Sequence, residues 1–339
     1  MKSQILPLLL SFACAIAACV TPASAVVGDA RVAPWKDNRT GVFLLMFDDG
    51  WPGQVDAAVP ELQKRGLTAT FYMVPTKGEY KARLPKWTEA AKSSLVVYGN
   101  HTMTHGGCRD YEHAKTEIGE CTRIIRDELQ PVPAKPDRLI SYARPGVGEG
   151  KWTLTAEDEA RILRETNTIS RPPFAGHGAV YHWKTLEQMT ALVDKAIVEK
   201  NMNYLILHGV ERLGSGGQDF WPLKQDIFLP LLDYIQARQD ARELWVTDHI
   251  TWHKYQTERD AATVKTVKVV GNGIQLELKS SADPQLYDQL LTLIAEVPVH
   301  WRECNVSQGS AQSRVPVVNG TLTIDAVPNG PLISIWPAQ

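Results

Sequence analysis

Val42-Phe43-Leu44-Leu45-Met46-Phe47 runs without a polar interruption into Asp48-Asp49-Gly50, and that junction decides the fold. A short apolar run that stops at turn residues reads as a strand buried on both faces, the kind found in parallel sheets covered by helices. Two further runs end in the same manner. Leu95–Tyr98 lies just before His101, and Tyr204–Leu207 stops at His208. In a sheet or barrel of parallel strands the carboxyl ends open on one face, so side chains far apart in sequence meet there. His105, four residues after His101, completes a set of two aspartates and three histidines.

Strand-like and helix-like segments alternate around that junction. Strands are expected at Val42–Phe47, Thr68–Val74, Leu95–Tyr98, Leu139–Ala143, Thr166–Ser170, Tyr204–Leu207 and Leu244–Thr247. Helices are expected near Gln54–Arg65, Tyr111–Leu129, Leu186–Glu199 and Lys224–Arg238. This β/α order predicts an α/β fold, a barrel of about seven parallel strands over residues 26–260. From Val264 onward the pattern changes to short β-type runs separated by Gly-Asn-Gly, Asn-Gly and Pro-Asn-Gly turns. Residues 261–339 therefore read as a small all-β, sandwich-like accessory domain that packs on the first or touches glycan, structural support being the favoured role.

The composition is that of an ordinary globular protein. With 44% hydrophobic residues, 22% charged residues and a formal net charge of -2, it offers no electrostatic argument for nucleic acid or for an acidic membrane surface. Lys2, the apolar run Ile5–Ala18 and Ala23-Ser24-Ala25 match a secretory signal peptide over residues 1–25. The run is shorter than the ~20 residues that cross a bilayer, so no transmembrane span is expected. Ile16-Ala17-Ala18-Cys19 supplies an alternative, a lipid anchor at Cys19. Export permits disulfides, and Cys108 with Cys121 is the expected pair; the competing reading packs Cys121 in the apolar stripe of the helix that starts near Tyr111. Cys304 is then a free thiol. Oligomeric state leaves no mark in the sequence.

Asp48-Asp49-Gly50 alone is a common turn sequence, and its position after a buried strand is what makes it a candidate site. In His101-Thr102-Met103-Thr104-His105 the two imidazoles can face the same way on a helical turn and share one cation. Two histidines and one carboxylate leave coordination positions open, which a catalytic zinc uses for water. A second adjacent carboxylate can serve as base, and His208 as proton donor to a leaving group.

In this order the motifs Phe47-Asp48-Asp49-Gly50, His101–His105 and Leu205-Ile206-Leu207-His208 resemble those of the polysaccharide deacetylases, the NodB-homology domain of carbohydrate esterase family 4. The resemblance covers roughly Val42 to Asp260. It implies a distorted (β/α) barrel, a divalent metal, most often Zn2+, and hydrolysis of N-acetyl or O-acetyl groups on a polysaccharide or oligosaccharide. Carried over by motif, Asp48 is the general base, Asp49, His101 and His105 are the metal ligands, and His208 is the general acid. The family's Arg-x-Pro motif is altered: Ala143 stands where the arginine belongs and Arg144 follows it, so Arg144 is the candidate support for the base. The aspartate that orients the acidic histidine has no counterpart in Ser170–His177; Arg171, His177 or Asp248 are candidates for a rebuilt support. Trp51, Phe220 and Trp221 are candidate sugar-stacking residues.

Two other readings fit parts of this pattern. A non-haem iron oxygenase also uses two histidines and a carboxylate, but the close His-x-Asp/Glu pair is absent and Asp48 and His208 would be idle. A catalytically impaired metal- and glycan-binding protein is the second, motivated by the altered arginine and aspartate motifs.

Overall fold

The computed structural model describes residues 26–173, 183–214 and 219–338. The expected signal segment with Cys19, and His177, lie outside them. A short first strand, β1 (Ala30–Val32), is followed by β2 (Gly41–Asp48), β3 (Ala69–Met73), β4 (Val96–Asn100), β5 (Ile140–Tyr142), β6 (Thr168–Ser170), β7 (Met202–Leu207) and β8 (Leu244–Thr247). Strands β2 to β8 form one parallel sheet in the order β6-β5-β4-β3-β2-β7, with β8 also on β2. At Leu44 strand β2 meets Tyr204 of β7 and Thr247 of β8; at Leu45 it meets Leu205 of β7 and Ala69 of β3. One edge of β2 therefore carries β7, and the other carries first β8 and then β3. That sharing curls the sheet into a half-barrel.

Helices α1 (Val59–Lys64), α2 (Gly78–Ala90), α3 (Tyr111–Arg123), α4 (Ala156–Glu165), α5 (Leu186–Val198), α6 (Gln225–Asp240) and α7 (His249–Asp260) connect the strands. Wider π-type turns at Gln54–Ala58 and Ile124–Leu129 precede α1 and extend α3. Every residue of β2 is buried, as its composition requires. Phe43, Leu45 and Phe47 face one core with Leu62, Trp87, Val193 and Phe228 from the helices. Val42, Leu44 and Met46, alternating with them, face a second core.

That second core is shared with the C-terminal strands. These are β9 (Ala262–Val270), β10 (Gly273–Ser280), β11 (Leu291–Glu296), β12 (Glu303–Gln308), β13 (Ala311–Pro316), β14 (Thr321–Ala326) and β15 (Ile333–Pro337). They make a five-stranded sheet, β13-β12-β15-β10-β9, and a three-stranded sheet, β1-β11-β14, both antiparallel. Leu276, Leu291, Leu293 and Ile335 join Leu44 and Ile206 in one apolar cluster. The β region thus packs on the sheet, and β1 from the start of the described chain completes it. Among the described residues no helix is long and apolar enough to cross a membrane.

The expected Cys108–Cys121 bridge is not formed. Cys108, Cys121 and Cys304 are buried free thiols. Cys121 lies in the core stripe of α3, its Sγ 3.5 Å from the Met73 carbonyl, whereas Cys108 packs with Ala114 and Tyr142 in a separate cluster. Burial pushes the Cys121 thiol well above its usual range.

Candidate active site

The carboxyl ends of β2, β4, β6 and β7 deliver Asp48, His101, Arg171 and His208 to one cavity of about 370 Å³. Asp49 follows β2 with φ 78° and Gly50 with φ 70°. These left-handed residues turn the chain abruptly, so that adjacent carboxylates leave the strand end in different directions. Asp49, His101 and His105 each offer one ligand atom, and those atoms lie within 4.8 Å of one another. Nε2 of His101 and of His105 is 3.8 and 3.6 Å from Asp49 Oδ1.

The segment between the two histidines is a loop, not the helical turn that the spacing suggests. Thr102 (φ 66°) and His105 (φ 56°) are left-handed, and the imidazoles stand 4.8 Å apart at 76°. Glu117 of α3, buried, clamps this loop: its carboxylate accepts from Thr104 N at 2.9 Å and from Thr104 Oγ1 at 3.0 Å. Asn100 Oδ1 accepts from Thr102 N at 2.8 Å. His101 Nδ1 is 2.8 Å from the Ala143 carbonyl. A carbonyl only accepts, so Nδ1 carries the proton and Nε2 keeps its lone pair toward Asp49. Burial lowers the His101 pKa to about 4 against the pull of Asp48 and Asp49, which keeps the ring neutral. An N,N,O set with its histidine tautomer fixed fits a divalent transition metal such as zinc.

Asp48 is held differently. Arg171 donates Nη1 and Nη2 to its two oxygens at 2.7 and 2.8 Å, with both side chains buried. Burial alone would raise this carboxyl; Arg171, then His101 and His208, hold it below the usual carboxylate range. Arg171 is itself fixed by its backbone N–H on the Tyr142 carbonyl, 2.8 Å, and by the Tyr72 ring 4.7 Å beneath the guanidinium. Tyr72 Oη meets Ser141 Oγ at 2.7 Å, and Ser141 meets His249 Nδ1 at 2.7 Å.

Arg144 does not reach Asp48, which corrects the expectation drawn from its neighbour-of-proline position. Its side chain is 55% exposed, 4.0 Å from Glu159 and 5.1 Å above the Trp152 ring. It lines the cavity wall, while the Asp48 partner comes from β6. Asp248 is not part of the support either, since its side chain caps α7 by accepting from Thr251 N at 2.9 Å.

His208 follows β7, which lies on the other side of β2 from β3 and β4; it lines the same cavity and is buried, and burial lowers its pKa below the ordinary histidine value. The Phe220 and Trp221 rings each lie 5.4 Å from it, and Trp51 stacks on Phe220 at 6.3 Å. The aromatic residues expected around the site do gather at its mouth. Three residues, Gln54, Lys77 and Asp219, escaped the sequence reading, as did the hydrogen bond that Trp51 makes to Asp49. Gln54 Nε2 ties β2 to β7 by donating to the carbonyls of Asp48 and His208 at 2.5 and 2.8 Å. Lys77 Nζ and Trp51 Nε1 donate to Asp49 at 2.8 and 3.1 Å. Asp219 accepts from Gly53 N at 2.6 Å, where any larger residue would meet the Val210 carbonyl.

Residues 36–144 match the family model described as polysaccharide deacetylase. Arg171 and His208 fall beyond that matched segment. A gellan lyase from Bacillus sp. is 24% identical over 343 residues, which is 91% of this chain but 13% of that protein; the chain spans only a small part of that relative. Among solved structures, the peptidoglycan deacetylase PdaC of Bacillus subtilis superposes with a TM-score of 0.43 and 14% identity over 65% of this chain and 94% of its own. A family 4 carbohydrate esterase of Streptomyces lividans in complex with acetate gives 0.41 and 15% over 60% and 90%.

Proposed function

We propose, from the premise that this chain carries a polysaccharide deacetylase domain, that it is a secreted metal-dependent hydrolase removing acetyl groups from an N-acetylated or O-acetylated polysaccharide or oligosaccharide. One observation carries the reading. A carboxylate clamped by Arg171 stands beside an Asp-His-His cluster, with His208 lining the same cavity. Export is supported by the signal-peptide pattern of residues 1–25, with Cys19 as the alternative lipid anchor.

Asp49, His101 and His105 would hold the cation. When bound, a divalent ion such as Zn2+ lowers the pKa of coordinated water and polarises a carbonyl oxygen. Asp48, kept ionised by Arg171, takes the proton from the attacking water at the oxygen nearer His101. His208 gives a proton to the departing amine or sugar hydroxyl. Trp51, Phe220 and Trp221 bind the sugar faces and exclude water from the acetyl pocket. The test is acetate release from a panel of N- and O-acetylated glycans, with added zinc and after chelation. Metal-dependent release that Asp48→Asn abolishes supports the hydrolase; metal and glycan binding without release on any substrate selects a binding protein instead.

A further inference from the structure

The cavity is lined by three cations, Lys77, Arg144 and Arg171, and two carboxylates, Asp48 and Asp49. Both carboxylates are already engaged, Asp48 by Arg171 and Asp49 by Lys77 at 2.8 Å. Arg144 is the remainder. The whole chain has a formal net charge of -2, so this positive excess is local to the cavity, and a bound divalent cation would add to it.

The setting of Arg144 differs from that of an ordinary surface arginine. Its guanidinium lies over the Trp152 ring, which limits its freedom. Among the described residues it makes no hydrogen bond, and its nearest carboxylate oxygen, on Glu159, stands 4.0 Å away. At that separation and exposure the attraction is weak, screened by solvent. All five N–H donors therefore stay uncommitted, in the planar fork that matches a carboxylate. The residue also lines a neighbouring pocket of about 310 Å³ between β5, α4 and the end of β6, so it faces two adjoining spaces.

Resting on the hydrolase reading above, we propose that Arg144 is the anion-recognising residue of an adjoining sugar subsite, and that the substrate is an acidic acetylated glycan with a ring carboxylate next to the acetylated unit. Glu159 is the internal competitor that such a carboxylate displaces.

The experiment compares one acetylated, uronate-containing oligosaccharide with its carboxyl-reduced, neutral counterpart. With the unsubstituted protein, kcat/KM should favour the acidic member by roughly tenfold at low salt, and the advantage should shrink as salt rises. Arg144→Gln should remove the advantage, bringing kcat/KM for the acidic member down to that of the neutral one. Arg144→Lys, which keeps the charge and loses the fork, should retain part of it, and Glu159→Gln should enlarge it. Equal rates on the two substrates, or equal losses on both in Arg144→Gln, would overturn the proposal. Calorimetric binding of the same pair to the same variants reads the preference without turnover. A protein that releases no acetate but binds the acidic member more tightly loses the hydrolase reading and keeps the subsite.

Discussion

Asp48 and Arg171 form a buried pair whose members cannot be removed singly without cost. Arg171→Met leaves an uncompensated carboxylate in the core of the site, and a loss of about 3–5 kcal/mol is expected in denaturant unfolding. Asp48→Asn keeps the volume and one acceptor; it should spare zinc binding, read by chelator competition, while lowering acetate release roughly 100- to 10,000-fold. Retention of full activity by Asp48→Asn would remove Asp48 from the base role. These residue-level assignments divide by how much of each is local. That Asp48, Asp49, His101 and His208 meet in one cavity was legible because each ends or closely follows an apolar run. Arg171 was only one candidate among several, because a guanidinium reaches across strands and its partner is set by β5 and β6 packing side by side. Arg144 misled for the same reason: sequence adjacency to proline says nothing of which wall a long side chain follows.

At the level of elements, the loop from His101 to His105 owes its shape to α3. Glu117 supplies the acceptors for Thr104, so Glu117→Ala should loosen the two histidines relative to each other and weaken zinc binding roughly 10- to 100-fold, with the melting profile as the control for folding. Unchanged zinc affinity in that variant would mean that the left-handed turns at Thr102 and His105 suffice alone. The absence of a bridge between Cys108 and Cys121 predicts that reductant leaves the melting temperature unaltered. Helices with a clear apolar stripe, such as α3 and α5, were read from the sequence. α4 was not, because Ile162 is its one buried residue. Its start signal was present nevertheless: Thr155 accepts from Asp158 N, a cap followed by an acidic first turn. α7, polar along most of its length, was missed in the same way.

Over the whole molecule, the inner face of β2 is covered mainly by the C-terminal strands, with Tyr255 of α7 beside them. Removing residues 261–339 would uncover Val42, Leu44, Met46 and Ile206, and the truncated chain is expected to aggregate on expression; a monodisperse, active 26–260 fragment would show the opposite. The seam between α7 and these strands also holds Glu258, which accepts from Gln289 N at 2.8 Å and whose pKa burial raises to about 7. The folded state thus binds this proton more tightly than the unfolded chain, so its contribution is full below about pH 4.5 and is lost as pH rises toward 7. Glu258→Gln should flatten that stretch of the stability–pH curve, measured by thermal melts. The two-part layout was readable from the change of turn chemistry near residue 264, but the shared core was not, since a strand buried on both faces does not name what covers each. The pairing of Ala30–Val32 with Leu293–Ala295 carries a further consequence, one of timing. A chain that emerges N-terminus first, from a ribosome at roughly 5–20 residues per second or through an export channel, presents the first of these strands well before the second. Until then the opening segment has no partner, and the barrel's inner wall waits on the C-terminal strands to be sealed.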